Sequence, residues 1–356
     1  MTRKNDAIVP DLYADPFGER SKMMVRDDLQ LLGSRFRFES NSAQLLRLVD
    51  SAYAGLPPHR LTAQAPRLRV RLLLTSNEER RPRTRSAPPP LSMLSGDGLL
   101  GGATGSSNFV ILSPSQRSAL VAVSRELLRF PYHTRYEFIE FAVFTLASRS
   151  QNLVSLHAAC VGRAGRGILL MGPSGSGKST VTLQCLLRGF DILSEDSVFV
   201  EPNKMIATGV ANFIHVRSES LRWLESARDA ESIRRSPVIR RRSGVRKFEV
   251  DLRRGAYKLA ASPLTIAAVV FLSPESAGGQ PPLRRLSKSS LLEKLADAQA
   301  YAVNQPEWGR FSKNLLRTGA FELRRGRHPA ETADILSTLL EPADAQISRA
   351  IRRSRA

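Results

Sequence analysis

The residues with the clearest chemical potential lie together near the middle of the chain. Gly172-Pro173-Ser174-Gly175-Ser176-Gly177-Lys178-Ser179, followed by Thr180, fits the G-x-x-x-x-G-K-[ST] pattern of a Walker A phosphate loop, or P-loop. Glycines let the backbone curl so that successive N–H groups face phosphate oxygens. A helix opening at Lys178 adds the positive end of its dipole. Lys178 would reach the β- and γ-phosphates of ATP, and the Ser179 hydroxyl would sit on Mg²⁺.

Two acids follow early. Glu195 and Asp196 lie 17 and 18 residues after Lys178. A helix, a turn at Gly189 and a short strand would return the chain to the same end of the sheet. One carboxylate could hold Mg²⁺ beside Ser179 while the other takes the proton of an attacking hydroxyl. Either residue fits either role. His157, just upstream on a strand, could reach one of the acids and influence its protonation.

Elements must hold these groups in place. LVSLHAACV (153–161) reads as one strand and GILLM (167–171) as a second, with a turn between them. The glycine-rich loop then opens a helix that runs to Gly189. FDIL and SVFVE flank the acids as strands, LTIAAVVFL (264–272) is a buried strand, and 287–302 and 329–340 are amphipathic helices. Upstream, 1–30 has no period and reads as a flexible leader. FRFES (35–39), LRVRLLL (68–74) and NFVILS (108–113) read as strands. A helix is expected near 42–54, another from Pro114 to Leu128 and a third over 132–148. Residues 80–107 are rich in Arg, Pro, Ser and Gly, which predicts a flexible loop. A basic tail follows 340.

Composition bounds the class. The 356 residues are 42% hydrophobic and 24% charged, enough for a sizeable core and for two domains. No run approaches the ~18 apolar residues of a membrane span. The polar N-terminus lacks the apolar core of a secretory signal. Two cysteines, Cys160 and Cys185, support neither a disulfide scaffold nor a cysteine zinc site, so a cytoplasmic protein is expected. The net charge of +20 favours anionic partners. Between Arg217 and Lys258 there are 13 basic and 6 acidic residues. Arg217 and Lys247 are the candidates there for contact with the γ-phosphate or an acidic peptide. Only Trp223, Phe248 and Tyr257 interleave with the cations, which argues against nucleic acid.

Leu156-His157-Ala158, GPSGSGKST (172–180), Leu186-Leu187-Arg188-Gly189-Phe190 and Leu193-Ser194-Glu195-Asp196 together resemble the C-terminal catalytic domain of HPr kinase/phosphorylase and its paralogues. FELRRGRHPAETADIL (321–336) is similar to that family's last strand and helix. The resemblance implies an α/β P-loop kinase domain over 150–340 and an α+β N-terminal region over 31–149. It implies ATP- and Mg²⁺-dependent phosphorylation of a serine hydroxyl on a small protein or peptide, including a peptide encoded nearby. The first acid of the family's pair is commonly assigned the base role; here it is Glu195, where the family usually has aspartate. The glycine-rich signature of HPr kinases proper has no counterpart between 201 and 262, so the implied substrate is not HPr. Two alternatives stay open: a small-molecule kinase, and a non-kinase NTP-binding regulator with a basic nucleic-acid-binding surface. A homo-oligomer is compatible with either.

Overall fold

The protein is described by a computed structural model covering residues 23–75, 88, 90–105 and 107–341. It is a mixed α/β structure with parallel and antiparallel sheets. The first sheet contains β1 (Met24–Leu31), β2 (Ser34–Ser40), β3 (Arg67–Thr75), β4 (Ser92–Gly96), β5 (Leu99–Thr104), β6 (Asn108–Ser113) and β7 (Ser118–Ser124), in the order β1-β2-β3-β7-β6-β5-β4. Alternation along β2 sends Phe36 and Phe38 inward. They meet Leu45, Val49 and Tyr53 of α1 (Ala43–Tyr53).

A continuous helical stretch then runs through α2 (Pro131–His133), a π-helical segment (Thr134–Glu140) and α3 (Phe141–Ser150). Phe138, Ala142 and Leu146 bury the inner face of this stretch in the same core. Phe199 joins that core from downstream, with its ring edge-on to Phe144 at 5.2 Å.

The second sheet has ten strands. They include β8 (Val154–His157), β9 (Ala159–Arg163), β10 (Arg166–Met171), β11 (Asp191–Ser194), β12 (Ser197–Glu201) and β13 (Ile206–Gly209). Three further strands, β14 (Phe213–Val216), β15 (Val238–Arg240) and β16 (Arg246–Asp251), form a small antiparallel sheet of their own. The large sheet is completed by β17 (Lys258–Leu259), β18 (Leu264–Ser276), β19 (Leu283–Arg285) and β20 (Gly319–Arg325). Its centre is parallel: β18 lies between β10 and β20.

Both faces of β10 are covered, which explains its unbroken apolar run. Ile168 and Leu170 face α4 (Lys178–Leu187), while α5 (Ala227–Arg234) adds Ile233 to the same cluster. Leu169 and Met171 share the opposite cluster with α6 (Lys288–Ala298) and α7 (Trp308–Leu315). On the first face, α8 (Pro329–Leu340) adds Ala333, Leu336 and Leu340.

Several expectations are corrected. Residues 24–31 form β1, not part of a leader; residues 1–22 lie outside the described residues. Within 80–107, β4 and β5 make a hairpin instead of a flexible loop, and 80–87 lie outside the described residues. Asp97 and Gly98 turn it, with φ of +50° and +73°, as a tight hairpin turn requires. The helix expected from Pro114 is a turn followed by β7, because β3 and β6 pair with it on either side. The 153–161 strand is two strands. The break falls at Ala158, whose N–H donates to the Asp196 carbonyl at 3.1 Å. Both cysteines are free and buried. The basic tail after 341 is outside the described residues.

Candidate active site

The glycine loop leaves the end of β10 and curls into α4. Gly172 has φ +145°, and a Cβ there would meet the Leu272 carbonyl and Ser176 Oγ, each at 2.8 Å. Gly177 caps α4 with φ +102°, a left-handed conformation that favours glycine. No side chain caps this helix. Its first N–H groups therefore have no partner within the helix, as at any helix start. Among the described residues Ser176 Oγ has no hydrogen-bond partner, although it is buried. A ring of free donors at the mouth of a dipole suits an anion.

The loop lines a cavity of about 490 Å³ together with His157, Glu195, Asp196, His215, Arg217, Arg241 and Lys247. Ser174, Gly175, Ser176, Gly177, Lys178, Ser179 and Thr180 all reach it. Pro173 contributes its carbonyl to the loop, accepting from the Ser176 N–H at 3.2 Å. Lys178 folds back, and its Nζ donates to the Gly172 carbonyl at 2.6 Å. Burial pushes the Lys178 pKa down, against the pull of Asp196 and Glu195. Thr180 Oγ1 meets Ser220 Oγ at 3.0 Å.

The two acids occupy the β11–β12 turn and have different surroundings. Glu195 is the buried one, with 5% of its side chain exposed against 24% for Asp196. The Ser179 hydroxyl donates to Glu195 Oε1 at 2.5 Å. His215 Nδ1 lies 3.3 Å from Glu195 Oε2, and its Nε2 lies 3.3 Å from Glu249 Oε1. Burial alone would lower the His215 pKa, but the two carboxylates override it and raise it. Glu249 in turn takes both terminal nitrogens of Arg135, at 2.5 and 3.2 Å. Burial would raise Glu249; the bonds to His215 and Arg135 bring it down to about 2.

Asp196 is held on both oxygens. His157 Nδ1 lies 3.1 Å from Oδ1, and the Tyr136 hydroxyl donates to Oδ2 at 2.9 Å. Arg241 Nη2 is 3.9 Å from Oδ2. Burial works to raise this carboxyl, yet His157, Arg241 and Tyr136 together hold it well below the usual range. The Arg241 guanidinium stands over the Tyr136 ring, 5.2 Å from its centre. Lys247 is half-buried, and burial pushes its pKa down beside Glu195, Arg241, Asp196 and Arg217.

His157 is fixed through its backbone as well. Its N–H donates to Gln299 Oε1 at 2.8 Å, and Gln299 Nε2 donates to its carbonyl at 2.9 Å. Gln305 repeats the arrangement at Ser155, with both bonds at 2.9 Å.

Every candidate from the sequence thus lies at this cavity or in the loop that forms it. Tyr136, His215, Arg241 and Glu249 were not singled out by sequence. The basic segment 217–258 contains α5, β15 and β16, and the β15–β16 hairpin carries Arg241 and Lys247 to the cavity. Among the described residues, no group of three or more His, Cys, Asp or Glu side chains is arranged to hold a metal. Ser179 Oγ and Glu195 Oε1 are nonetheless adjacent oxygen donors of the kind a hard cation takes.

No protein-family model matches the chain, and no curated protein matches it. Among solved structures it is similar to the Hpr(Ser) kinase/phosphatase from Coxiella burnetii. The identity is 13%, over 55% of this chain and 98% of that one, with a TM-score of 0.30. At that score the likeness is slight.

Proposed function

We propose that the chain is an ATP-dependent kinase that phosphorylates a serine hydroxyl of a small protein or peptide other than HPr. The observation that carries this reading is the convergence of Lys178, Ser179, Glu195, Asp196 and His157 on one cavity. In this reading the kinase unit spans 150–340, and the α+β region over 31–149 packs against it.

The 172–180 loop cradles the triphosphate with its backbone N–H groups and the Ser176 hydroxyl. Lys178 exchanges the Gly172 carbonyl for phosphate oxygens. Mg²⁺ would be held by Ser179 and Glu195, with Asp196 nearby, and would neutralise charge on the β- and γ-phosphates. The acceptor oxygen attacks the γ-phosphorus as the bond to the β-phosphate oxygen breaks, and ADP leaves. The hydroxyl proton passes to the Asp196–His157 pair, the more accessible acid and the imidazole bonded to it. This assigns the metal side to the first acid and the proton side to the second, the reverse of the family's usual order. Arg241 and Lys247 add positive charge where the oxygens of the transferring γ-phosphoryl group carry negative charge. Arg217, Arg222, Arg325 and Arg327 line the cavity beyond it, which favours an acceptor segment with acidic residues.

The test is incubation with γ-labelled ATP, Mg²⁺ and candidate peptides encoded beside the gene. Label on a peptide serine, lost in the Lys178→Ala variant, is expected. ATP binding with no transfer to any serine would overturn the kinase reading and leave a nucleotide-binding regulator.

A further inference from the structure

Consecutive residues of the N-terminal region hold consecutive acids of the site. Tyr136 bonds Asp196 directly. Arg135 reaches Glu195 through Glu249 and His215, in an unbroken buried chain. Both arise from the π-helical segment Thr134–Glu140, a local widening of the helix that recurs at functional sites. The 150–340 segment alone would lack both contacts.

We infer that Tyr136 is a positioning residue for Asp196, so that the N-terminal region completes the catalytic site. The inference rests on the kinase reading above. The geometry gives Tyr136 two separable contacts. Its hydroxyl fixes Oδ2 of Asp196, while its ring carries the Arg241 guanidinium and stacks on Tyr132 at 5.6 Å. With the hydroxyl gone, Asp196 is free to close the 3.9 Å gap to Arg241. A carboxylate paired to a guanidinium is drawn away from His157 and out of the orientation that the Tyr136 hydroxyl fixes. A hydrogen bond to a charged group is worth enough to shift such a balance by about ten- to a hundred-fold.

The experiment compares wild type with Tyr136→Phe, Asp196→Asn and the double variant in the full chain. Thermal midpoint, MgATP affinity by calorimetry and single-turnover loss of the γ-phosphate are measured, to peptide or to water. Tyr136→Phe keeps the ring, so midpoint and affinity are expected to hold while the rate falls about ten- to a hundred-fold. In the Asp196→Asn background the same change is expected to cost nothing further, since it acts through Asp196. A merely structural tyrosine would show additive losses in the cycle. Wild-type rates in Tyr136→Phe, additive losses, or a rate loss that only tracks lost ATP affinity would each overturn the inference and leave the kinase reading standing. A wild-type protein that binds ATP but releases no γ-phosphate would overturn both.

Discussion

His157 Nδ1 lies 3.1 Å from Asp196 Oδ1, and the backbone sets this distance as much as the side chains do. β8 and β12 pair antiparallel with His157 opposite Ser197, one residue from Asp196. The Ala158 N–H then donates to the Asp196 carbonyl at 3.1 Å, closing the corner where β8 ends. The imidazole and the carboxylate are therefore delivered to each other by strand register. His157→Ala should leave ATP affinity near wild type and slow transfer by about 10²–10⁴-fold, the range of general acid–base help. Single-turnover transfer beside calorimetric binding checks this; equal rates would remove His157 from the mechanism.

Lys178→Ala should abolish transfer with little change in fold. Its ammonium is half-buried against its own loop, and burial disfavours its charge, so it contributes little to stability in the free protein. A loss of at least about 10²–10³-fold in rate is expected, as for other removed transition-state charges. Unchanged turnover at saturating ATP would refute the phosphate-loop assignment.

The two acids should separate by phenotype. Glu195→Gln should raise the Mg²⁺ or Mn²⁺ concentration needed for activity, because Glu195 shares its bond with Ser179. Asp196→Asn should leave that midpoint in place and lower the rate. Titrating metal into each variant, with excess EDTA as the zero, measures the difference. Identical metal curves for the two variants would contradict the division of labour.

Glu249 predicts part of the acid sensitivity of the fold. Its folded pKa falls from an ordinary 4.5 to about 2 through His215 and Arg135. A depressed carboxyl contributes stability that is complete above 4.5 and is lost as pH falls toward 2. The shift corresponds to ~3 kcal/mol. Glu249→Gln should flatten the stability profile across that window. His215 acts with the opposite sign: its raised pKa contributes fully below its ordinary 6.5 and fades as pH rises through the folded value. Urea unfolding at a series of pH values between 2 and 8 reads both limbs.

The block from His157 to Asp196 was legible because its chemistry is local. Gly172 to Ser179 is a contiguous motif, and one short helix returns the chain to Glu195. What was missed depends on contacts between distant segments. Tyr136 comes from the π-helical segment, His215 from β14, and Arg241 and Glu249 from the β15–β16 hairpin, and nothing in their immediate sequence marks them. Residues 118–124 alternate little and were read as part of a helix; β3 and β6 flanking them decide for a strand. The glycines around Asp97 suggested a loop, although Asp97-Gly98 between two short apolar runs is itself a hairpin signal.

Gln299 and Gln305 have a consequence for how the molecule meets others of its kind. β8 ends the strand path of the ten-stranded sheet, and its outward N–H and C=O groups at Ser155 and His157 would be a template for a strand from another chain. Each glutamine amide turns its carbonyl oxygen and one of its two N–H donors to β8, the pair a neighbouring strand would present. The two side chains thus imitate the neighbouring strand that β8 lacks on that side among the described residues. The backbone groups of Ser155 and His157 are thereby occupied, which disfavours strand addition at the border beside the cavity.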